Sequence, residues 1–366
     1  MCDNEALAIY IHFPYCKSRC PYCDFFRALK PRDFNEDELI SRYYKDIDYF
    51  FNLLGKKSVK SVFFGGGTPS LLKPQSVDNV LDAISRRFDI LPNAEISLEA
   101  NPNTFEREKF LDFRKAGINR LSLGVQALCD NDLKFLGRTH SVDDALKAME
   151  LGVTNFPKFS IDLIYARPGQ TWEQWQQEIN KALSFKLNHI SLYQLTIEDG
   201  TVFSRKGVKP LDDENAATLY IQTVSYLREQ GFERYEVSNF ARGTNNQSVH
   251  NMVYWQGGDY IGIGDGAHGR IHHQGKNYAT VDGVMAEEIS PYERAEELLL
   301  MGLRLKEGID AERFYRYSGI KLFDFVDNMS KKELANLNLL CYDARNIRLT
   351  DNGFLLLDKV ILDLVG

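Results

Sequence analysis

Six short apolar segments, each closed by a turn or polar loop and each followed by a helical pattern, constrain this chain more than any other feature. The strand candidates are Leu7–Phe13, Val59–Gly65, Glu95–Asn101, Arg120–Val125, Phe159–Tyr165 and His189–Leu195. Helical patterns run over about 36–54, 74–88, 104–116, 130–151, 171–186 and 212–231, the last opened by Asp212 and Asp213. Repeated strand–helix units predict a parallel sheet with right-handed crossovers. The strands read as apolar on both faces, as expected where helices cover a sheet. The count suits an α/β fold built as a curved, partial (β/α)6 barrel. In such folds functional groups gather on loops at the C-terminal strand ends.

From about residue 290 the pattern changes. Pro291–Leu305 and the stretches 310–317, 321–328 and 330–339 read as helices. Ile347–Asp358 reads as two short strand-like or helical pieces around an Asn-Gly turn. This predicts a small winged-helix-like α+β domain. The expected division is 1–240 for the barrel, 241–289 for a connecting region that closes it, and 290–366 for the C-terminal domain. A chain of 366 residues accommodates one barrel-sized unit plus a small appendage.

Winged helices usually suggest DNA. Here residues 290–366 hold 11 Lys plus Arg against 13 Asp plus Glu, and the whole chain carries −7. The cationic footprint of a nucleic-acid binder is missing, so a structural or partner-docking role is expected. No apolar run approaches the roughly 18 residues of a membrane span. The N-terminal stretch MCDNEALAIYIHF lacks the pattern of a secretory signal. A cytoplasmic protein is expected.

Three of the six cysteines fall in Cys16-Lys-Ser-Arg-Cys20-Pro-Tyr-Cys23, directly after the first strand. Such density points to metal rather than disulfides. A loop this tight can wrap three thiolates around one face of a cubane, leaving one iron without a protein ligand. Zinc would want a fourth ligand, and the nearest candidate, His12, belongs to the strand. With this spacing the chain resembles the radical SAM superfamily. The resemblance implies a [4Fe-4S] cluster on Cys16, Cys20 and Cys23. It also implies that the open iron chelates the amino and carboxylate groups of S-adenosylmethionine (SAM), whose reductive cleavage releases a 5′-deoxyadenosyl radical.

Phe64-Gly65-Gly66-Gly67-Thr68-Pro69 ends the second strand, where glycines permit close backbone approach and leave polar backbone groups free for a ligand. No Gly-Lys-Ser/Thr follows, so it is not a P-loop. Glu99 ends the third strand, Gln126 follows the fourth, Arg138 sits in Leu136-Gly-Arg-Thr-His140, and Asp162 lies inside the fifth. A charge within an apolar strand needs a partner: either Arg138 serves Asp162, or both serve a ligand. In order, these positions resemble the anaerobic coproporphyrinogen oxidases and their heme-chaperone relatives. The resemblance implies SAM binding by Gly66, Gly67, Thr68, Glu99, Gln126, Arg138 and Asp162, together with Tyr10 and Tyr22. Gly262-Ile-Gly264-Asp-Gly266-Ala267 mimics a dinucleotide fingerprint, but the following HGRIHHQGKNY is not helical. The relatives carry a similar loop near the barrel mouth, which implies that Ala267 lines the SAM site.

Two features separate the branches. The oxidases carry a fourth cysteine two residues after the third, where this chain has Phe25, and an N-terminal extension, which with nine residues before Tyr10 is expected to be absent here. His250-Asn-Met-Val-Tyr254-Trp255 matches the His-Asn-x-x-Tyr-Trp motif of HemW-type heme chaperones. An imidazole is a sound heme-iron ligand, and flat aromatic rings suit a porphyrin. The resemblance therefore implies heme binding by His250, Tyr254 and Trp255, with His268, His272 and His273 nearby as further candidates. Arg167, in an Ala-Arg pair where many relatives have Gly-Leu, places a cation after the fifth strand, where it could meet a heme propionate or the SAM carboxylate.

The expected protein is a heme chaperone with three cofactors: a [4Fe-4S] cluster, S-adenosylmethionine and heme. Its partners would be a heme-acceptor protein, such as a respiratory hemoprotein, and an electron donor, without nucleic acid. A homodimer and peripheral membrane association stay open. The alternatives are an oxygen-independent coproporphyrinogen III oxidase and a radical SAM enzyme modifying RNA.

Overall fold

The computed structural model describes residues 6–25 and 28–365, apart from the side chains of 104 and 105. Residues 1–5, part of the stretch read above for a signal sequence, lie outside it. All six expected strands form: β1 Leu7–Phe13, β2 Ser58–Gly66, β3 Asp89–Ala100, β4 Arg120–Gln126, β5 Lys158–Tyr165 and β6 His189–Gln194. They lie side by side in chain order, each parallel to the next. Later strands extend this sheet on both sides: β7 Glu233–Arg234, β8 Asn239–Ala241, β9 Tyr260–Ile263, β10 His268–His273, β11 Lys276–Val281 and β12 Val284–Ile289. The order is β12-β11-β10-β9-β1-β2-β3-β4-β5-β6-β8-β7. The sheet is open, with β12 and β7 at its edges.

Strand β9 was not expected. It carries the glycine-rich segment and pairs parallel with β1, aligning Tyr10 with Gly262. Gly264 then turns with φ 95°, and its N–H donates to Asp46 at 2.9 Å. A Cβ there would lie 2.9 Å from the carbonyl of His12, so the close approach serves packing against β1.

The two faces of the sheet differ, contrary to the expectation of apolar character on both. Ile9, Ile11, Val62, Phe64, Leu98, Leu121, Leu123, Ile161, Leu163 and Ile190 share one apolar core. It is covered by helices Glu36–Leu54, Pro74–Ser85, Val142–Asn155, Trp172–Leu183 and Asp213–Glu229. The alternate residues are mostly polar: Ser61, Glu95, Ser97, Glu99, Arg120, Ser122, Lys158, Ser160, Asp162, His189 and Ser191. Register aligns them in rows, with Ser97 beside Arg120 and Arg120 beside Lys158.

Helix limits follow local chemistry. Asn35 caps Glu36–Leu54 by accepting from the amides of Asp37 and Glu38. The helix expected over 130–151 is two, Asp130–Phe135 and Val142–Asn155. Gly137 breaks it with φ 69°, packed where a Cβ would meet Pro21 Cδ at 2.5 Å, and Ser141 restarts it with a capping box to Asp144. The 104–116 pattern likewise splits into Thr104–Arg107 and Phe110–Lys115.

The C-terminal part has its own core, including Leu299, Phe314, Leu334, Ile347 and Val360. Its helices pack with a three-stranded antiparallel sheet of β13 Ile309–Asp310, β14 Leu340–Tyr342 and β15 Asn346–Leu349. The Asn-Gly pair expected as a turn lies inside helix Asp351–Leu355, capped by Thr350 accepting from Gly353 N–H. Gly353 sits against the Leu339 carbonyl, where a side chain would collide. Arg228 and Arg234 both reach Asp351, tying this part to the barrel.

Arg167 does not serve as a free cation. Positive φ at Ala166 turns the chain after β5 and drives Arg167 inward, where it is 2% exposed. It donates to Glu178, pairs with Asp132 at 3.3 Å and donates to the Ile164 carbonyl at 2.8 Å. Glu178 also accepts from the Leu128 amide at 2.7 Å, joining the loops after β4 and β5. Glu178→Ala would leave the guanidinium buried with only Asp132 as anion. It should cost about 3 kcal/mol in urea unfolding.

Candidate functional site

The C-terminal ends of β2 to β6 surround a cavity of about 370 Å³, a size suited to a cofactor or small-molecule ligand. Cys16, Cys20 and Cys23 lie on its wall. Their loop begins at the end of β1 and is fastened by backbone. Gly67 N–H donates to the Phe13 carbonyl at 2.7 Å, and Thr68 N–H to the Tyr15 carbonyl at 2.9 Å. Gly66 N–H donates to Glu99 Oε2 at 3.2 Å. The glycine amides expected to be free for a ligand are therefore engaged. The glycines let this strand end approach the cysteine loop.

Side-chain donors reach the sulfurs. Thr68 Oγ1 lies 3.6 Å from Cys16 Sγ, and Arg138 Nη1 lies 3.3 Å from Cys20 Sγ. Such contacts stabilise thiolate charge. Arg138 is positioned by Asn101 Oδ1 and by the Gly124 carbonyl at 3.0 Å, and its Nε has no hydrogen-bond partner among the described residues. It does not pair with Asp162, which accepts from Ser122 Oγ at 3.1 Å. His12, the candidate fourth ligand for zinc, stays in β1 with its Nδ1 2.9 Å from the Tyr10 hydroxyl. Three thiolates on one wall, with an Arg and a Thr donating to two of them, fit an iron–sulfur cluster on Cys16, Cys20 and Cys23. When bound, such a cluster supplies an electron.

Two carboxyls face this cavity from the polar side of the sheet. Burial, then the neighbouring Asp162 charge, push Glu99 up to about 8 against the Gly66 hydrogen bond. Burial pushes Asp162 up to about 6, opposed by hydrogen bonds from Ser191 and Ser122. A cationic ligand between them would relieve both costs.

Of the expected SAM residues, Tyr22, Gly66, Gly67, Thr68, Glu99, Gln126, Arg138 and Asp162 line the cavity. Tyr10 and Ala267 do not. Tyr10 stacks on Phe63, and Ala267 is fully buried in the turn before β10. Asn101, Ser122 and Tyr193 also line it and were missed. Two of these could have been found, since Ser122 and Tyr193 continue the polar alternation of their strands. Phe25 lines the mouth with 65% of its surface exposed.

His250 lies elsewhere. Ser248 caps the helix Val249–Trp255, and Glu95 Oε1 accepts from the amides of Val249 and His250 at 2.8 and 3.3 Å. This lays the helix against the polar face of the sheet. The His250 ring stacks on Phe63, its Nδ1 is 3.1 Å from Ser61 Oγ, and burial pushes its pKa down to about 4. Tyr254 packs against Trp255 and Tyr260. His268, His272 and His273 lie on β10 and, like His250, do not line the cysteine cavity.

Residues 10–182 match the model of the radical SAM superfamily, and residues 289–356 that of the HemN C-terminal domain. The chain is 33% identical to the heme chaperone HemW of Haemophilus influenzae, covering 97% of each protein. The chain belongs to the HemW-type branch of the radical SAM superfamily. This family binds a [4Fe-4S] cluster and SAM. A mitochondrial radical SAM domain-containing protein 1 of Bos taurus is 38% identical over 99% of the chain and 88% of that relative. HemW of Escherichia coli is 39% identical over 72% of the chain and 70% of that relative. The fold matches coproporphyrinogen III oxidase (HemN) of Escherichia coli, a radical SAM enzyme, with a TM-score of 0.83 at 19% identity, over 99% of the chain and 91% of that structure.

The fit between the glycine run and the cysteine loop is testable. A Cβ at Gly67 would lie 2.5 Å from the Tyr15 carbonyl oxygen and 2.9 Å from that of Phe13, backbone that cannot yield locally. Gly67→Ala should keep wild-type circular dichroism yet retain less than half the wild-type iron after anaerobic reconstitution.

Proposed function

We propose that this protein is a heme chaperone, which binds heme and passes it to an acceptor hemoprotein in the cytoplasm. Two observations carry the reading. The HemW similarity runs the length of the chain, and the cavity mouth holds Phe25 where the oxidase pattern has a cysteine. No described helix is long and apolar enough to cross a membrane. The iron-facing candidate is His250, supported by its place in the His-Asn-x-x-Tyr-Trp motif and by its low pKa, which keeps the imidazole neutral and able to ligate. At 4% exposure it reaches iron only after the helix Val249–Trp255 shifts. Acceptor, electron donor and a second copy of the chain are partners within this proposal.

The oxidase is the second reading, favoured by the fold match alone. Heme titration followed by absorbance should give saturable binding to wild type, at least tenfold weaker in His250→Ala. Absence of binding to wild type removes the proposal. Anaerobic turnover of coproporphyrinogen III to protoporphyrinogen would replace it with the oxidase.

In the SAM site, Glu99 and Asp162 are proposed to face the ligand's positive charge. Below about pH 8 Glu99 is mainly protonated, so it must lose a proton to hold a cation. Each pH unit below that value should then weaken SAM about tenfold. Equilibrium dialysis between pH 6 and 8 should show affinity rising with pH and levelling near 8. Glu99→Gln should bind weakly without the slope. A flat wild-type profile excludes Glu99 from this role.

A further inference from the structure

A second, smaller cavity of about 70 Å³ opens at the other end of the sheet. It lies where β4, β5 and β6 begin, while the cysteine cavity lies where they end. Arg120, Lys158, Lys186, His189 and Asn246 contribute its polar wall, and every formally charged lining residue is a cation.

The charges there do not balance. Arg120 is 3% exposed, and its Nη2 has no hydrogen-bond partner among the described residues. Its Nη1 reaches Glu95 Oε2 at 3.4 Å and the Asn246 carbonyl at 3.3 Å. Lys158 Nζ donates to the same Glu95 Oε2 at 3.0 Å. One carboxylate thus faces two cations, and its other oxygen is taken by the amides of Val249 and His250. Lys186 adds a third cation from an exposed position. His189 adds no further charge. Its Nδ1 is 2.6 Å from Ser160 Oγ, its Nε2 is 2.8 Å from the Tyr235 hydroxyl, and burial beside Arg120 and Lys158 keeps it neutral. A buried guanidinium that shares its carboxylate with a lysine is only partly compensated, and an anion in the adjoining cavity lowers the remaining cost.

We propose that this pocket binds a small oxyanion, a phosphate or carboxylate group held between Arg120, Lys158 and Lys186. The volume admits one such group and excludes a porphyrin or nucleotide as a whole. The group is therefore a free ion or the acidic arm of a larger ligand, such as a heme propionate. Only the propionate source rests on the heme reading.

Thermal unfolding of the full chain tests the site. Sodium phosphate or acetate is added at fixed ionic strength, with chloride as the reference. Wild type should show a saturable rise in Tm with phosphate. Lys158→Gln and Lys186→Gln should each weaken the apparent affinity at least fivefold, and the double variant should lose the rise. Both lysines reach solvent, and their Tm in chloride checks that the variants fold. No rise beyond chloride in wild type, or an equal rise in the double variant, overturns the proposal.

Hemin and its dimethyl ester separate the two sources. If wild type binds the ester more weakly than hemin and the double variant does not discriminate, the pocket takes a propionate. If both bind wild type alike while phosphate still saturates, it takes a free anion. The phosphate arm contains no heme, so its failure is read apart from failure of the chaperone reading.

Discussion

The arrangement of this protein turns on one buried carboxylate. Glu95 is 2% exposed and accepts from four donors: the side chains of Arg120 and Lys158 and the amides of Val249 and His250. Taking a carboxylate out of water costs several kcal/mol, and only a full set of donors offsets that. The set comes from β4, β5 and a helix more than 150 residues away in the chain. Satisfying Glu95 therefore locks β3 to β5 in register and pins the helix Val249–Trp255 onto the polar face. With that helix in place the N-terminal half of the face is filled. The C-terminal half stays open for the cysteine loop.

The cysteine loop depends on a second backbone constraint. Phe13 and Tyr15 present carbonyls to the amides of Gly67 and Thr68, so the loop leaves β1 already bound to the end of β2. Arg138 then spans three elements, touching Cys20, Asn101 and the Gly124 carbonyl. Backbone and amide oxygens hold this cation in addition to its contact with Cys20. The cavity is thus shaped by the protein chain itself.

Most of the parallel sheet was legible because apolar residues recur at the outward positions of every strand. Helix Glu36–Leu54 was legible from its helical pattern. The inner face was misread, although its signal was present. Glu95-Ile-Ser97-Leu-Glu99 and Lys158-Phe-Ser160-Ile-Asp162 alternate strictly, the pattern of a strand with one polar side. Strand β9 was hidden for a different reason. Its four residues overlap a glycine run, and its partner β1 is about 250 residues earlier, so no local pattern reports the pairing. The cysteines, the glycine run and Glu99 share one cavity because each stands at or just past a strand end, and Asp162 joins them from inside β5. Tyr10, Ala267 and Arg167 were assigned from neighbouring motifs, and their actual environments depend on tertiary packing. Arg167 in particular is claimed by Glu178 on the following helix, a pairing that sequence order alone does not favour over a ligand.

The same alternation also sorts charge along the sheet. On β5 the inward residues run from Lys158 to Asp162, four positions or about 13 Å apart. On β4 they run from Arg120 through Ser122 to Gly124, with the cation again at the N-terminal end. The acids Glu99 and Asp162 line the opposite, cysteine-bearing cavity. Glu95 pins the helix Val249–Trp255 onto this face, and the Arg120 charge still acts on Asp162 from the other end. Partners within the protein offset part of the charge at each end, and a ligand of opposite sign would offset more. A sulfonium and ammonium compound suits the acidic end, and an oxyanion suits the basic one.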